Sequence, residues 1–461
     1  MATISKPLLS LLLFCLLLLS QGLQEQQDPQ QKLQQCRQRC QQQEQGHQQR
    51  CMQRCQEEYK KEQGERGQQE ERGESHYVFQ KEKFFDGIRT QHGYVRVLPN
   101  FSELSRLLSG ISIYRLAVLN LNPQAVLLPL HLDAEMVLYV VQGRGSVGVV
   151  NSESRESHEV RQGDILRLRS GSIFYLANKD NNEKLTIVKL MLPISRPGQF
   201  RLRPEEVQKL FEPQQQQQQQ GAIIKASEQQ IRSIGGSSSH QGGESQRPFN
   251  LLKKRPTESN RHGKLIRADR NDYQPLKDLD LAVSFVNITQ RSMFGPRYST
   301  QSYEIAVVTQ GDGTVEIICP HLASQKRESE QEQGSEGEQE REGEQEEGEQ
   351  QQYERVRSRV TEGTAIVFPP GHPAVEIASS DKNLQVVRFE IRAEGNQQVF
   401  LAGPNSPWRR MEDGAKELAF GMKAREVDQR LDRQKETAFV PGPEERERDS
   451  PLYSVVNFFD F

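Results

Sequence analysis

The chain has little net charge, few cysteines and only one long apolar run. Its 461 residues carry a formal net charge of −3 at pH 7, with six cysteines and a single tryptophan. A charge this close to zero gives no case for binding nucleic acid or an anionic membrane surface. The sequence also lacks a G-x-S-x-G nucleophile elbow, a phosphate-binding P-loop and an H-E-x-x-H zinc motif. We therefore expect no enzymatic activity.

The one long apolar run lies at the N-terminus. Lys6 precedes an apolar stretch from Leu8 to Leu19, which only Ser10 interrupts, and small residues follow it, so residues 1–22 are predicted to be a secretory signal peptide. The run is too short to span a bilayer comfortably, and no later segment reaches spanning length. Cys15 is lost with the signal, which leaves five cysteines in the mature chain.

Four of these five cysteines form two C-x3-C pairs, Cys36 with Cys40 and Cys51 with Cys55. The spacing within each pair places both thiols on one face of a helix. Two such helices, stapled antiparallel by disulfides, suit an oxidising secretory compartment, and the nested pairing Cys36–Cys55 and Cys40–Cys51 fits that hairpin best. Zinc binding is the alternative, which the secreted context disfavours. Residues 23–75 are assigned to this hairpin and a polar linker.

Three polar tracts interrupt the rest of the chain: Gln214 to Gln220, Gly235 to Gln246, and Glu328 to Gln352. Segments of this composition cannot bury enough apolar area to offset chain entropy. We therefore expect a flexible linker over residues 236–255 and an acidic loop insertion over about 324–353. Residues 446–461 are assigned to a C-terminal tail.

An internal repeat is the most informative feature of the sequence. Leu138 to Val150 matches the region from Ile305 to Cys319, and Val160 to Phe200 aligns with Val360 to Phe400 at a constant offset of 200. Each copy consists of short apolar strands separated by Gly, Asp and Asn turns, which is typical of an antiparallel sandwich or barrel. The sequence predicts a mainly β fold with two tandem barrels, over residues 76–235 and 256–445.

A helical pattern follows each predicted barrel. It covers Arg203 to Phe211 and Ser227 to Ile234 after the first barrel, and Met411 to Arg433 after the second. Each barrel is therefore expected to carry an α-helical extension. The amphipathic helices around Leu418 and Val427 offer an apolar face either to a second copy of the chain or to their own barrel.

Glycines at matching turns connect the repeat to a known family. They resemble the two short motifs of the cupin jelly-roll barrel, and they are Gly143, Gly163, Gly171, Gly311, Gly363 and Gly371. Two cupins in tandem after a signal peptide and a C-x3-C hairpin resemble the vicilins, the trimeric seed storage globulins. The resemblance implies a nutrient reservoir that assembles as a homotrimer. It also implies delivery through the secretory pathway to the seed protein storage vacuole, where processing proteases act.

Enzymatic cupins hold a divalent metal with three histidines and a glutamate, so the resemblance names the positions to inspect. In the first barrel they are Pro129, His131, Met136 and Phe174, and in the second Arg297, Ser299, Glu304 and Ala374. One ligand remains in each barrel, so neither is expected to hold a catalytic metal. His131 is expected to be a packed or hydrogen-bonded remnant.

Cys319, the fifth mature cysteine, lies two residues before His321. Both side chains would point to the same side of a strand, and His372 occurs in the same copy, where the first copy has Ser172. A thiolate with two imidazoles suits copper. The resemblance implies a copper site here, with Tyr77 as a further ligand. The alternative is that Cys319 is a small buried apolar residue.

Smaller signals remain. Asn100 and Asn287 begin N-x-S/T sequons and are candidate glycosylation sites in a secreted protein. The cysteine hairpin resembles the antimicrobial peptides released from some vicilin precursors, and the apolar C-terminus resembles the vacuolar sorting tails of the family. A copper carrier or buffer, or a precursor of defence peptides, is therefore an alternative to storage as the main role.

Overall fold

The computed structural model describes residues 75–131, 133–152, 154–194, 221–234, 247–319 and 354–443. The predicted signal peptide, the acidic insertion and the C-terminal tail lie outside the described residues. So do the four hairpin cysteines, Cys36, Cys40, Cys51 and Cys55. Among the described residues, no helix combines the length and apolar character needed to cross a bilayer.

The first half of the described chain contains twelve strands and two α-helices. The strands are β1 (Val78–Phe79), β2 (Phe85–Thr90), β3 (Gly93–Val97), β4 (Arg115–Leu121), β5 (Ala125–His131), β6 (Ala134–Gln142), β7 (Arg144–Val150), β8 (Arg155–Arg161), β9 (Asp164–Leu168), β10 (Ile173–Asn178), β11 (Leu185–Pro193) and β12 (Ile223–Lys225). The α-helices are α1 (Phe101–Leu104) and α2 (Glu228–Ser233), and 3₁₀-helices span Lys81–Lys83 and Arg106–Ile111.

The second half contains thirteen strands and two α-helices in the described residues. The strands are β13 (Phe249–Asn250), β14 (Glu258–Asn260), β15 (Gly263–Ala268), β16 (Leu281–Ile288), β17 (Ser292–Ser299), β18 (Tyr303–Gln310), β19 (Asp312–Cys319), β20 (Glu354–Thr361), β21 (Ala365–Phe368), β22 (Ala374–Ala378), β23 (Leu384–Ile391), β24 (Gln398–Phe400) and β25 (Phe439–Pro441). The α-helices are α3 (Asp413–Phe420) and α4 (Ala424–Leu431), and 3₁₀-helices span Leu251–Lys253, Gln274–Leu279 and Pro407–Arg410.

These strands form two antiparallel barrels, as the repeat predicts. The N-terminal barrel is enclosed by a sheet with the order β13-β9-β6-β11-β4-β3-β2 and a second sheet with the order β12-β5-β10-β7-β8. The C-terminal barrel has the sheets β1-β21-β18-β23-β16-β15-β14 and β20-β19-β22-β17-β24, with β25 added beside β17. The fold class is thus mainly β, with two cupin-like barrels and helical segments after each.

Strand β11 shows why some strands are apolar on both faces. Its residues Leu185 and Ile187 line the interior of the N-terminal barrel, whereas Val188 and Leu190 belong to an apolar cluster that continues into the C-terminal barrel. Successive side chains of a strand point to opposite faces, so a strand between two cores reads as a nearly continuous apolar run.

Two short strands cross between the barrels. Strand β1 pairs with β21 of the C-terminal barrel, and β13 pairs with β9 of the N-terminal barrel. This differs from the predicted boundaries, which place Val78 in the first domain and Phe249 in a flexible linker. Leu251, directly after β13, is fully buried, so the end of the predicted linker is packed structure.

The helical extensions agree with the periodic pattern where they are described. Helix α2 begins with a capping box between Ser227 and Gln230, which satisfies backbone N–H groups of its first turn. The pattern from Met411 to Arg433 is divided into α3 and α4 at Gly421, whose φ of +58° ends α3. Residues 203–211 lie outside the described residues.

The strand register corrects the constant offset of 200. Leu138 pairs with Lys189 in the N-terminal barrel, and its counterpart Ala306 pairs with Arg388 in the C-terminal barrel. Lys189 is therefore equivalent to Arg388, at an offset of 199. The turn before β23 is one residue shorter than the turn before β11, and an alignment without gaps overlooks this difference.

Candidate functional site

The predicted copper ligands that the structure describes lie at one end of the C-terminal barrel. Tyr77 is fully buried, and its carbonyl oxygen accepts a hydrogen bond of 2.8 Å from the backbone N–H of Val367. Its ring lies 5.9 Å from the ring of His372, at an interplanar angle of 65°. The crossing strand β1 therefore brings Tyr77 to His372, although 295 positions separate them in the sequence.

His372 lies in the turn between β21 and β22. Its Nδ1 is 2.9 Å from the carbonyl oxygen of Pro370, and because a carbonyl only accepts, Nδ1 carries the proton. In the neutral imidazole, the lone pair is then on Nε2. The backbone N–H of Ile318 donates to the carbonyl of Pro373 at 2.9 Å, so this turn lies beside the end of β19.

Cys319 is the last residue of β19 and is fully buried. Its Sγ lies 3.9 Å from the carbonyl oxygen of Ile317. His321 lies outside the described residues. In the described ranges no three His, Cys, Asp or Glu side chains converge as metal ligands would. The structure thus brings Tyr77 to His372 and places the strand end with Cys319 beside them.

The two sequons occupy different environments. Asn100 precedes α1, and its Oδ1 accepts a hydrogen bond of 3.2 Å from the N–H of Ser102. Asn287 lies within β16, between Lys264 of β15 and Gln385 of β23. Its Oδ1 is buried without a hydrogen-bond partner in the described structure. Glycosylation at either residue stays a prediction.

A buried ionic network fills the part of the C-terminal barrel that corresponds to the metal site of enzymatic cupins. The guanidinium of Arg297 donates two hydrogen bonds of 2.9 Å to the carboxylate of Glu304. Arg388 lies 3.5 Å from the same carboxylate and donates to Glu376. Glu390, also buried, pairs with Arg267 at 2.8 Å. Glu304 is the one residue of this barrel that matches a metal ligand of enzymatic cupins, and it is paired with arginines.

The buried arginines and glutamates of this network offset one another's charges. Burial alone would raise the pKa of Glu304, but Arg297 and Arg388 bring that pKa below its ordinary value. Burial lowers the pKa of Arg388 despite the neighbouring Glu376. Phe294 lies 4.6 Å from the guanidinium carbon of Arg297 and 5.0 Å from that of Arg388, so an aromatic face supports both cations.

The N-terminal barrel replaces this network with apolar residues, except at one position. Strand register gives the equivalent pairs Leu130 and Arg297, Met136 and Glu304, Leu176 and Glu376, Lys189 and Arg388, and Met191 and Glu390. The predicted match of Pro129 with Arg297 is therefore wrong by one residue. Burial lowers the pKa of Lys189 to about 8, with no carboxylate opposing the shift. His131 was expected to be packed or hydrogen-bonded, and the first alternative is wrong, because His131 is exposed at the end of β5.

The sequence contained a signal for these groups. Charged residues alternate with apolar ones in the strands VVRFEI and AVEIA, and a lysine interrupts TIVKLML. Strand periodicity places Arg388 and Glu390 on one face and Lys189 on the inner face of its own strand. These residues do not stand out in the alignment at a constant offset of 200, because that alignment matches Arg388 with Val188 instead of Lys189.

The family model described as cupin matches residues 88–192 and 249–428. A vicilin of Corylus avellana is 38% identical over 415 residues, which cover 82% of this chain and 86% of that protein. The crystal structure of hazelnut vicilin, from the same species, superposes with a TM-score of 0.66 over 80% of this chain and all of the other.

A third relative carries a different name. A protein of Macadamia integrifolia named as vicilin-like antimicrobial peptides is 36% identical over 433 residues, 85% of this chain and 68% of that protein. The glycine turns, the two barrels and these matches agree over most of the described residues. The chain belongs to the vicilins, the cupin-type seed storage globulins.

Proposed function

We propose that this vicilin is a non-enzymatic nutrient reservoir of seeds. The observation that carries the proposal is the state of the two former metal positions. Met136 supplies no ligand in one barrel, and Glu304 is bound by arginines in the other. Closed and compact barrels resist unfolding, and the glutamine-rich tracts of the chain add nitrogen to the reserve. We place the protein in the seed storage vacuole, reached through the secretory pathway and mobilised there by proteases.

Assembly as a homotrimer is part of this proposal. Leu418 on α3 is 90% exposed, whereas Val427 on α4 is 2% exposed and packs within its own chain. Of the two helices that the sequence offers for docking, α3 therefore presents an apolar side chain outward. A second copy of the chain is the partner that the resemblance implies for this surface.

Copper binding in the C-terminal barrel is the finer part of the proposal. Cys319, His321, His372 and Tyr77 would hold the ion. Nε2 of His372 is the nitrogen with a lone pair, because Nδ1 donates to Pro370. Thiolate, imidazole and phenolate ligands together suit copper better than magnesium or calcium. Bound copper would supply a redox-active ion to an otherwise inert reserve protein.

Metal content tests this site. We expect about one copper per chain when the full protein is purified from its native tissue without chelators and analysed by plasma mass spectrometry. Cys319→Ser should lose the metal and still elute as a trimer. His131→Ala is the matched control, since His131 is exposed in the other barrel and should not affect copper content. Unchanged copper in Cys319→Ser would remove the site, and copper delivery to an acceptor protein would favour a carrier role.

The name of the Macadamia relative supports a second candidate function, which is the release of defence peptides from the segment with Cys36, Cys40, Cys51 and Cys55. Mass spectrometry of seed extract would detect a disulfide-linked fragment within residues 23–75. Its activity against fungal hyphae, lost on reduction, would support a defence role. Recovery of that segment only in the full-length chain would argue against it.

A further inference from the structure

Strand β20 carries a row of arginines along an edge of the C-terminal barrel. The strand lies at the end of its sheet order and pairs with β19. Arg355, Arg357 and Arg359 alternate along it, and all three are exposed. Alternate residues of a strand share a face, so these side chains line one face of β20. We call the three residues the arginine row.

The neighbouring strand offsets only part of this charge. Nε of Arg357 lies 3.3 Å from Oε1 of Glu316, and the arginine side chain is 41% exposed. Nη2 of Arg359 lies 3.5 Å from Oδ2 of Asp312, and this side chain is 73% exposed. A guanidinium has several N–H donors in addition to the one in such a pair. The arginine row can therefore bind further carboxylates.

The N-terminal barrel has neither the complete row nor a long connection beside it. Strand register makes β8 the equivalent of β20, with Ser157 in the place of Arg357 and Glu159 in the place of Arg359. Residues 151–154 connect β7 to β8, whereas residues 320–353 connect β19 to β20. The arginine row and the long insertion thus occur together in one barrel.

The insertion contains a segment of the opposite charge. Residues 328–352, which we call the acidic tract, hold eleven glutamates and one arginine, a net charge of −10. Cys319 ends β19 and pairs with Glu354, which begins β20. The insertion therefore leaves and rejoins the sheet at one end of β20, directly beside Arg355.

The insertion is long enough to reach every arginine of the row. Strand β20 has eight residues, which is about 26 Å. Half of the insertion spans about 55 Å when it is fully extended. Because both of its ends are joined to the sheet, the acidic tract meets the arginine row at an effective concentration on the order of millimolar.

We propose that the acidic tract docks on the arginine row of its own chain. Neither storage nor copper binding uses this surface. Single exposed ion pairs contribute little, so the contact depends on several glutamates that share three guanidinium groups and on the tether at both ends. An edge strand can pair with another chain, and a strongly charged segment beside β20 opposes association through that edge.

Carbodiimide cross-linking of the full-length variant Arg359→Lys tests the docking. The substitution keeps the positive charge at the end of the row that is farther from the insertion, and it supplies an amine that links to a nearby carboxylate. We expect peptide mass spectrometry to find links from position 359 to glutamates of the acidic tract at low salt. These links should disappear at about 1 M NaCl, where the Debye length is about 3 Å. A link to Asp312 shows that the reaction works and that β20 remains paired with β19.

Glu159→Lys is the matched control, because it places an amine at the equivalent position of β8. Links from position 159 to the acidic tract that are as frequent as those from position 359 would overturn the proposal. So would links from position 359 that do not depend on salt. A mixture of isotopically labelled and unlabelled chains identifies the source of the tract, and links only between different chains would also overturn docking within one chain.

A second variant keeps the length of the tract and removes its charge. It replaces the eleven glutamates of residues 328–352 with glutamine. We expect phenylglyoxal to label the arginine row about threefold faster in this variant, because exposed ion pairs no longer occupy the guanidinium groups. Arg155, the exposed equivalent of Arg355 on β8, should react at an unchanged rate. Equal labelling of the row in both proteins would contradict docking. Neither variant changes a proposed copper ligand, so the result is independent of copper content.

Discussion

The two barrels share strand order and glycine turns, but their interiors have opposite chemistry. The C-terminal barrel contains arginines and glutamates that compensate one another, whereas the N-terminal barrel has apolar residues and Lys189 alone at the equivalent positions. The jelly-roll backbone therefore accommodates either an interior of paired charges or a largely apolar one. The two copies share their backbone geometry. In the C-terminal interior the buried charges compensate one another, whereas in the N-terminal interior no carboxylate compensates Lys189.

The largest expected effect comes from placing the residue of one barrel in the other. Glu304→Met puts the equivalent of Met136 beside Arg297 and Arg388, which then lose a buried counter-charge. We expect the free energy of unfolding to fall by about 3–5 kcal/mol. Urea unfolding at fixed protein concentration, followed by the fluorescence of Trp408, measures it in the C-terminal half.

Met136→Leu is the matched control for that substitution, because it exchanges apolar residues of similar volume. Its cost should stay below about 1.5 kcal/mol. If Glu304→Met costs no more than this control, the ionic network does not stabilise the barrel and the contrast between the two interiors has no energetic meaning.

The second effect has the opposite sign. The pKa of Lys189 falls from about 10.5 in the unfolded chain to about 8 in the folded one, so the unfolded chain binds the proton more tightly. The stability of the native protein is therefore reduced below pH 8 and recovers as the pH rises towards 10.5. Lys189→Met should raise the free energy of unfolding at pH 7 by about 3 kcal/mol.

Urea unfolding of both proteins at pH 7 and pH 10 checks this linkage. The difference between the native protein and Lys189→Met should shrink at the higher pH, because pH 10 lies well above the folded-state pKa of Lys189, about 8, and close to its unfolded-state pKa, about 10.5. Arg388→Met serves as the contrasting variant and should destabilise the protein, since it leaves the buried Glu376 with only the longer contact of 3.4 Å to Arg297. A difference that stays constant with pH would mean that Lys189 does not titrate as a buried amine.

The smallest expected effect on stability concerns the glycine turns, which the two barrels share. Gly171 and Gly371 have φ values of +76° and +73°, and a Cβ at either position would meet no atom within 4 Å. Gly171→Ala and Gly371→Ala should each cost about 1–2 kcal/mol from left-handed backbone strain alone. Equal losses in melting temperature would confirm that the turns are equivalent, and a clear inequality would show that the barrels differ in their frameworks too.

Much of the fold follows from the sequence because it depends on periodic pattern and turn glycines. The repeat predicts two barrels, and the helical pattern around Val427 agrees with α4. The paired strands β1 and β13 could not be predicted, since two residues carry no periodicity and their partners lie far away in sequence. Within the candidate site, Tyr77 was found through resemblance alone, because only the crossing of β1 brings it to His372.

The interior groups were missed for a different reason. A single residue fewer in the turn before β23 moves every later position of an alignment by one, and in a strand that shift exchanges the inner and outer faces. Arg388 was thus compared with Val188, an outward-facing residue. Register, which only the paired strands supply, was needed to recognise Lys189 as its counterpart.

The exchanged strands have a consequence for a chain that is cut once between the barrels. A protease that cuts once between residues 235 and 246 leaves β1 on the first fragment and β13 on the second, and each remains paired in a sheet of the other. Arg167 of the N-terminal barrel also donates to Asp278 and to the carbonyl of Pro275 beyond the cut, both at 2.9 Å. Paired strands and hydrogen bonds therefore join the two fragments, and we expect them to stay associated until one barrel unfolds.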